Sequence, residues 1–433
     1  MTRRTFIPVL SAAALARSAT QPAINAARLR ERIEKLSEFG RPPGGTFADG
    51  VSRVAFSDAD IAGRAYVRSL IVSAGLMPRV DAAGNISAIR SGSGNNMQPV
   101  LIGSHIDTVP NGGNFDGVLG SLSAIEVVQA LKDADVTTKR PIEVVIWANE
   151  EGVAFNNGLY GSRAAAGKLE PGELDTVWEG MRKSSAIGRI DGDAGGIAKA
   201  QRKPGSFHAY VELHIEQGGV LDKAGVPIGI VEGIVAIDRY DVEIHGVANH
   251  AGTTPMPERK DALLAAAQLI QAVNEIVRRE PGAQVGTVGQ LAVTPNAPNV
   301  VPGLVKMTVE LRDLSSAKIA RLGELVKQRA QVIAGQTQTQ IDLRPAAHHA
   351  EAIANADIQS TIENVCQRMD IQTRRLASGA GHDAQMMATL GRMGMIFVPS
   401  VGGISHSPKE FTRWEDCARG ADVLLKTVLE LAK

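Results

Sequence analysis

His105 closes an apolar run, Val100-Leu101-Ile102, that halts at Gly103-Ser104; Asp107 stands two positions on, and Asp116 follows in the glycine-rich loop NGGNFDG. Imidazole and carboxylate are the donors that zinc and similar divalent cations accept. On extended backbone Asp107 faces the same way as His105, which suits a group that holds the ring from behind. Buried His and Asp at strand ends are as often plain hydrogen-bonded structure, so this stretch alone leaves the two readings level.

Three further stretches repeat the theme. The strand-like IEVVIWA delivers Asn149, Glu150 and Glu151. Adjacent carboxylates repel unless something positive offsets them; beside a cation one could ligate while the other takes a proton, whereas a lone Glu-Glu pair is ordinarily an exposed acidic turn. HAYVELHIEQ leads to His214, Glu216 and Gln217, and GGISHSP sets His406 in a loop after the apolar run Met395 to Pro399. Each is ambiguous singly. Four such strand-end presentations in one scaffold are much less so.

The rest of the chain must position these groups. At 433 residues it is too long for one ordinary core, so two domains are expected. A net charge of zero and the lack of any like-charge block argue against nucleic acid or an anionic membrane as partner. The two cysteines, Cys366 and Cys417, make neither a disulfide framework nor a CxxC site, so any metal rests on His, Asp and Glu. Arg3-Arg4 before a short apolar run and Ala16-Arg17-Ser18 resembles a twin-arginine export signal over residues 1–22. That implies the periplasm if the signal is used and the cytoplasm otherwise; the plain alternative is a tail with two chance arginines.

Helical mixtures at Ile24 to Glu38, Ile61 to Ala74 (opened by Ser57) and Gly117 to Ala134 alternate with strand-like runs at Met77 to Val80, Ile86 to Ile89, Val100 to Ser104 and Ile142 to Ala148. This rhythm predicts an α/β sheet with parallel neighbours and active groups at the strand ends. From Tyr240 the order becomes strand, helix (Asp261 to Arg279), two strands (Gln284 to Leu291, Val305 to Leu311), helix (Ser316 to Ala334), strand (Gln340 to Leu343), a ferredoxin-like β-α-β-β-α-β signature. The expected division is therefore a first catalytic part at 23–235, an inserted domain at 236–348 and a second catalytic part at 349–433.

In order along the chain, GSHIDTVPNGGNFDG, NEEGVAFNNGLYGSR, ELHIEQGGVLD, GVANHAGTTPM, NAPNVVPG, ELRD, SGAGHDAQ and GGISHSP closely resemble the hydantoinase/carbamoylase branch of the di-zinc amidohydrolase and carboxypeptidase superfamily, from about Arg28 onward. This branch holds N-carbamoyl-L-amino acid hydrolases, β-ureidopropionases and allantoate amidohydrolases. The resemblance implies a zinc-dependent exopeptidase-like α/β domain with an inserted lid domain that forms a homodimer contact. It implies that Asp116 bridges two divalent ions, zinc first with manganese, cobalt or nickel as alternatives. His105 and His214 would complete one site, Glu151 and His406 the other. Glu150 would be the general base and Asp107 the group behind His105.

The same resemblance makes His250, in ANHAGTTP, a donor to the oxyanion across the dimer interface. Arg312 would fork onto a substrate carboxylate, the alternative being an ion pair with Asp313 or a neighbour. Gln217, Asn299 and the Gly381-His382-Asp383 stretch would contact substrate. The expected activity is hydrolysis of an N-carbamoyl (ureido) C–N bond in a small carboxylate. Allantoate hydrolysis and an exopeptidase are the alternative activities. A metal-free scaffold is the non-enzymatic one, and the presence of every ligand and of Glu150 speaks against it.

Overall fold

The computed structural model describes residues 21–433, so the twin-arginine reading of 1–22 falls almost wholly outside the described residues. The first sheet is built from β1 (Arg79–Val80), β2 (Ile86–Arg90), β3 (Val100–His105), β4 (Ile142–Trp147), β5 (Ala209–Ile215) and β6 (Ile228–Ile234). A second sheet follows from β7 (Ala236–His245), β8 (Val285–Thr294), β9 (Leu304–Asp313) and β10 (Gln340–His349). The chain then returns to the first sheet with β11 (Ala352–Ile353), β12 (Thr373–Ser378) and β13 (Met393–Val398).

The nine-stranded first sheet runs β1-β2-β4-β3-β5-β13-β6-β11, with β12 also on β6. Its middle is parallel (β4 with β3, β3 with β5, β5 with β13), as the strand–helix rhythm predicts. Its flanks are not: β2 runs antiparallel to β4, and β6 antiparallel to β13. β3, β5 and β13 are buried at every residue, the mark of strands covered on both faces.

Helix α1 (Ala26–Leu36), α2 (Asp58–Ser73) and α3 (Val118–Asp133) precede the second sheet; α4 (Ala262–Arg279) and α5 (Ser316–Thr337) belong to it; α6 (Ala356–Arg368) and α7 (Trp414–Leu431) close the chain. Ser57 caps α2 by accepting from Asp60 N. α3 is buried from Val118 to Leu131 all round, wedged between the sheet and the outer helices α1 and α7. Of its two carboxylates, Glu126 is buried and meets Arg28 and Arg32 of α1 at 2.6 and 2.9 Å, while Asp133 at its last turn is exposed.

The second sheet is wholly antiparallel in the order β8-β9-β7-β10, the ferredoxin-like arrangement. α4 and α5 cover one face with a core of their own, including Leu269, Val273, Leu322 and Ile333. Most residues of β8 and β10 are exposed or half-buried.

One buried cation braces the turn after β3. The Arg53 guanidinium, fully buried, donates to the carbonyls of Ile106 (2.7 Å), Leu36 and Phe39 (3.0 Å each), while Arg53 N donates to Thr108 Oγ1 at 2.9 Å. Burial lowers its pKa only to about 10, so it stays charged at neutral pH. Hydrogen bonds from a charged group add ~1.5–3 kcal/mol each, enough to hold the loop that follows His105 in one shape.

Candidate metal centre and active site

Each side chain of the cluster is set at or just beyond the carboxyl end of a parallel strand, where open α/β sheets bind ligands. β3 ends on His105, which is only 1 % exposed. Its Nδ1 meets the carbonyl oxygen of Asp107 at 3.0 Å, and His214 Nδ1 meets the carbonyl oxygen of Ile215 at 2.9 Å. Both rings thereby spend one nitrogen on backbone and turn Nε2 toward Asp116 Oδ1, at 3.6 and 3.2 Å. Burial drives the His105 pKa down to about 4. At His214 burial pulls the same way, but the hydrogen bond and charge of Asp116 outweigh it and lift the pKa to about 9.

The other oxygen of Asp116 faces the opposite side. Oδ2 lies 3.4 Å from His406 Nε2, and His406 Nε2 lies 3.3 Å from Glu151 Oε2. Ligand atoms of His105, Asp116 and His214 come within 4.8 Å of one another, as do those of Asp116, Glu151 and His406. The two triplets share Asp116. The second is more open, since the His406 side chain is 49 % exposed and that of Glu151 only 6 %.

The expectation that the Asp107 carboxylate holds the His105 ring needs correction. That carboxylate stands 3.8 Å from Nδ1 and instead accepts from Glu150 N and Glu151 N, each at 3.2 Å. The strand stops at His105, so two-residue alternation no longer governs position 107. Asp107 thus orients the turn that carries the glutamate pair. The Glu150 side chain is buried beside the cluster with Oε2 3.6 Å from His105 Nε2, yet belongs to neither triplet.

Gly117 is required here twice over. Its φ of 63° lies in the left-handed region, and a Cβ would sit 2.3 Å from the His105 ring. Gln217 and His406 also adopt left-handed backbone, φ 59° and 54°. For residues with a Cβ such geometry costs ~1–3 kcal/mol each and clusters at functional sites.

The residues present fit divalent cations. Among the described residues no lysine or arginine forms an ion pair with Asp116, Glu150 or Glu151, whose ion-pair partners are all histidines. Glu151 Oε1 is buried without a hydrogen-bond partner. Burial first, then the crowding of like charges, pushes the Glu150 and Glu151 carboxyls well above the usual range. A cation in such a donor set would reverse that crowding.

The remaining predicted contacts are distributed unevenly. Gln217 Nε2 donates to Asp116 Oδ2 at 2.7 Å, at the heart of the cluster. His382 is buried, 2.8 Å from Ser378 Oγ, with its ring edge-on to His214 at 4.4 Å. Gly381 and Asp383 flank it, Asp383 being fully buried. Arg312 reaches across from β9: its Nη1 donates to the carbonyl of Gly379 at 2.5 Å, while Nε and Nη2 take Glu310 Oε1 at 2.8 and 2.7 Å. Asp313 pairs with Lys318 instead. His250 and Asn299, both exposed, are brought to one two-stranded ribbon, where Asn249–His250 pairs with Val300–Val301. Among the described residues no hydrogen bond or ion pair links either of them to the cluster.

Three residues have roles the sequence reading did not give them. Glu212, two positions before His214 and so on the same strand face, is buried and accepts from Ser104 Oγ, Tyr210 Oη and Ala384 N; period-two spacing from His214 was the available signal. Glu410 is buried against the Asp116 loop, and only its place four residues after His406 hinted at it. Glu216, singled out beside His214, caps the short helix Val220–Ala224 by accepting from Val220 N and Leu221 N.

Comparison with known proteins fits this geometry. The profile of Peptidase family M20/M25/M40 matches residues 101–430. The chain is 41 % identical over 411 residues to an N-carbamoyl-L-amino acid amidohydrolase of Geobacillus stearothermophilus, covering 95 % of this chain and 99 % of the relative. It is 33 % identical to the allantoate amidohydrolase of Escherichia coli (strain K12), over 93 % of this chain and 97 % of the relative. Among solved structures, an amidase of the hydantoinase/carbamoylase family from Burkholderia multivorans superposes with a TM-score of 0.89 at 33 % identity, covering 95 % of this chain and 99 % of the other.

Proposed function

The chain belongs to peptidase family M20/M25/M40, in its hydantoinase/carbamoylase branch, and from that premise we propose that it hydrolyses N-carbamoyl-L-amino acids. It is a hydrolase of carbon–nitrogen bonds other than peptide bonds. The observation that carries the reading is the single carboxylate, Asp116, shared by two triplets with a free carboxylate, Glu150, beside them. His105, His214 and Asp116 would hold one divalent ion, and Asp116, Glu151 and His406 a second, zinc being the first choice for both. When bound, such ions supply Lewis acidity, making a water nucleophilic near neutral pH and polarising a carbonyl.

The chain's own groups then perform the proton chemistry. Glu150 takes a proton from the attacking water as the new C–O bond forms at the ureido carbon. It returns that proton to the amino-acid nitrogen as the C–N bond breaks. The products are the free amino acid and a carbamate that falls apart to ammonia and CO₂. Asp107, through Glu150 N and Glu151 N, keeps the base and its neighbour in place.

Residues 236–348 act in this reading as a lid and dimerisation domain. Two observations support that. His250 is exposed and, among the described residues, has no link to the cluster of its own chain, which suits a donor to the oxyanion in the partner subunit's site. Arg312 already bridges the second sheet to the loop that leads to His382, which suits a clamp on the substrate carboxylate carried by a moving lid. On the twin-arginine reading of residues 1–22 the enzyme works in the periplasm; an unprocessed chain works in the cytoplasm. No helix among the described residues is long and apolar enough to cross a membrane.

Ammonia release by zinc-loaded protein from N-carbamoyl-L-amino acids, N-carbamoyl-β-alanine and allantoate, alongside release of free amino acids from dipeptides, tests the substrate class. The highest kcat/KM is expected with an N-carbamoyl-L-amino acid. Preference for allantoate would move the assignment to that branch member, and turnover of dipeptides alone would overturn it. Arg312→Ala is expected to raise KM for the carboxylate substrate about 30-fold or more, from the ~2 kcal/mol lower figure for losing one partner of a desolvated charge pair. Zinc content should not change. An unaltered KM removes Arg312 from the pocket.

A further inference from the structure

Glu410 lies in the segment SPKEF, far in sequence from Asp116, and is buried with no lysine or arginine paired to it among the described residues. Its Oε1 accepts from Phe115 N at 2.9 Å and from Asp116 N at 3.0 Å. Its Oε2 takes the hydroxyl of Ser405 at 2.8 Å, and the same hydroxyl lies 2.9 Å from Asp116 Oδ2. Ser405 immediately precedes His406. One carboxylate therefore fastens the loop of the shared ligand to the loop of the exposed one.

The surroundings are shaped for it. A Cβ at Gly113 would come within 2.1 Å of the Glu410 carboxyl carbon, so the second glycine of NGGNFDG clears the space that this side chain fills. Phe411 packs edge-on against Phe115 at 5.7 Å, and Trp414 lies 5.3 Å from the same ring, pinning both segments on the far side. Ser405 has a single hydrogen and two carboxylate oxygens within reach. When that hydrogen points to Glu410, Asp116 Oδ2 is spared a second donor beside the Gln217 amide and keeps a lone pair toward His406.

Resting on the two-cation reading above, we propose that Glu410 is the positioning residue that sets the spacing of Asp116 and His406, and with it the affinity of the Asp116–Glu151–His406 site for its cation. Groups that orient metal ligands are each worth 10–100-fold in affinity. Glu410→Ala removes all three contacts. Glu410→Gln keeps an oxygen for the two backbone N–H groups but turns an amide N–H₂ toward Ser405. The serine hydrogen then swings to Asp116 Oδ2 and competes with the cation there.

Metal-free wild type and variants are titrated with Zn²⁺ against a chromogenic chelator, with bound zinc counted by mass spectrometry and metal-free unfolding followed by circular dichroism. Wild type should bind two zinc ions. Glu410→Gln should bind one of them about 10-fold more weakly and Glu410→Ala 10- to 100-fold more weakly, with the metal-free unfolding midpoint of the Gln variant unchanged. Glu410→Gln combined with Ser405→Ala removes the competing hydrogen and should recover part of the loss. Wild-type zinc affinity in Glu410→Gln overturns the proposal, as does a loss matched by an equal drop in metal-free stability. A wild type that binds no zinc instead sinks the cation reading itself, and this proposal with it.

Discussion

Glu150→Gln is expected to lower kcat by ~10³, within the 10²–10⁴ that a positioned acid–base group supplies, while both cations stay bound. The amide is isosteric but can neither accept a proton from water nor hand one to a leaving nitrogen. kcat and kcat/KM should fall by the same factor, because the lost interaction exists only in the transition state. Metal retention follows from geometry: the side chain stands beside the triplets at 3.6 Å from His105 Nε2 and belongs to neither. Single-turnover ammonia release and metal analysis on one preparation separate the outcomes. Turnover within tenfold of wild type would strip Glu150 of its role, and loss of metal would make it a ligand.

Exhaustive chelation is expected to abolish turnover by at least ~10²-fold, since metal-assisted attack is worth several kcal/mol, and to make folding stability fall as pH rises. Burial lifts the carboxyl pKa values to about 6 at Asp107 and Asp60 and about 7 at Glu410, and burial with the crowding of like charges carries Glu150 and Glu151 well above their usual range. A carboxyl with a raised folded-state pKa binds more protons folded than unfolded. Its contribution is complete below the ordinary carboxylate range and is lost as pH climbs through the raised value. Asp116, held well below the ordinary range, titrates too low to offset this between pH 5 and 8. The buried histidines whose pKa is lowered, His105 and His382, oppose it only up to the ordinary histidine range, against a larger number of raised carboxyls. The chelated protein should therefore melt at a lower temperature at pH 8 than at pH 5.5, and zinc should remove most of that slope. A melting temperature of the chelated protein that is flat or rising over this interval, or full activity after chelation, contradicts the argument.

What could be read from the letters follows from range. His105, Glu150, Glu151 and His214 were legible because each ends or follows an apolar strand, and such local patterns survive without knowledge of the fold. The order of elements also gave the antiparallel second sheet. Local rules stop at the ends of their segments. Alternation does not reach Asp107, because β3 ends at His105, and the parallel rhythm does not reach the flanks, where β2 pairs antiparallel with β4 and β6 with β13. Glu410 is hinted at only by its place after His406, for a different reason: its partners lie 294 and 295 positions away, and no local pattern marks a carboxylate that buttresses another loop. Arg312 illustrates a third case. The alternative of an ion pair with a neighbour is present, but the neighbour is Glu310 on the same strand face rather than Asp313.

The cluster draws on both ends of the chain, with Ser405 and Asp116 in contact across 289 positions. While the protein is being made, its first imidazoles and acids emerge long before the C-terminal loop that completes them. No nascent chain lacking that loop can assemble the Asp116–Glu151–His406 triplet, so on the two-cation reading the second ion is taken up only after the final segment has left the ribosome.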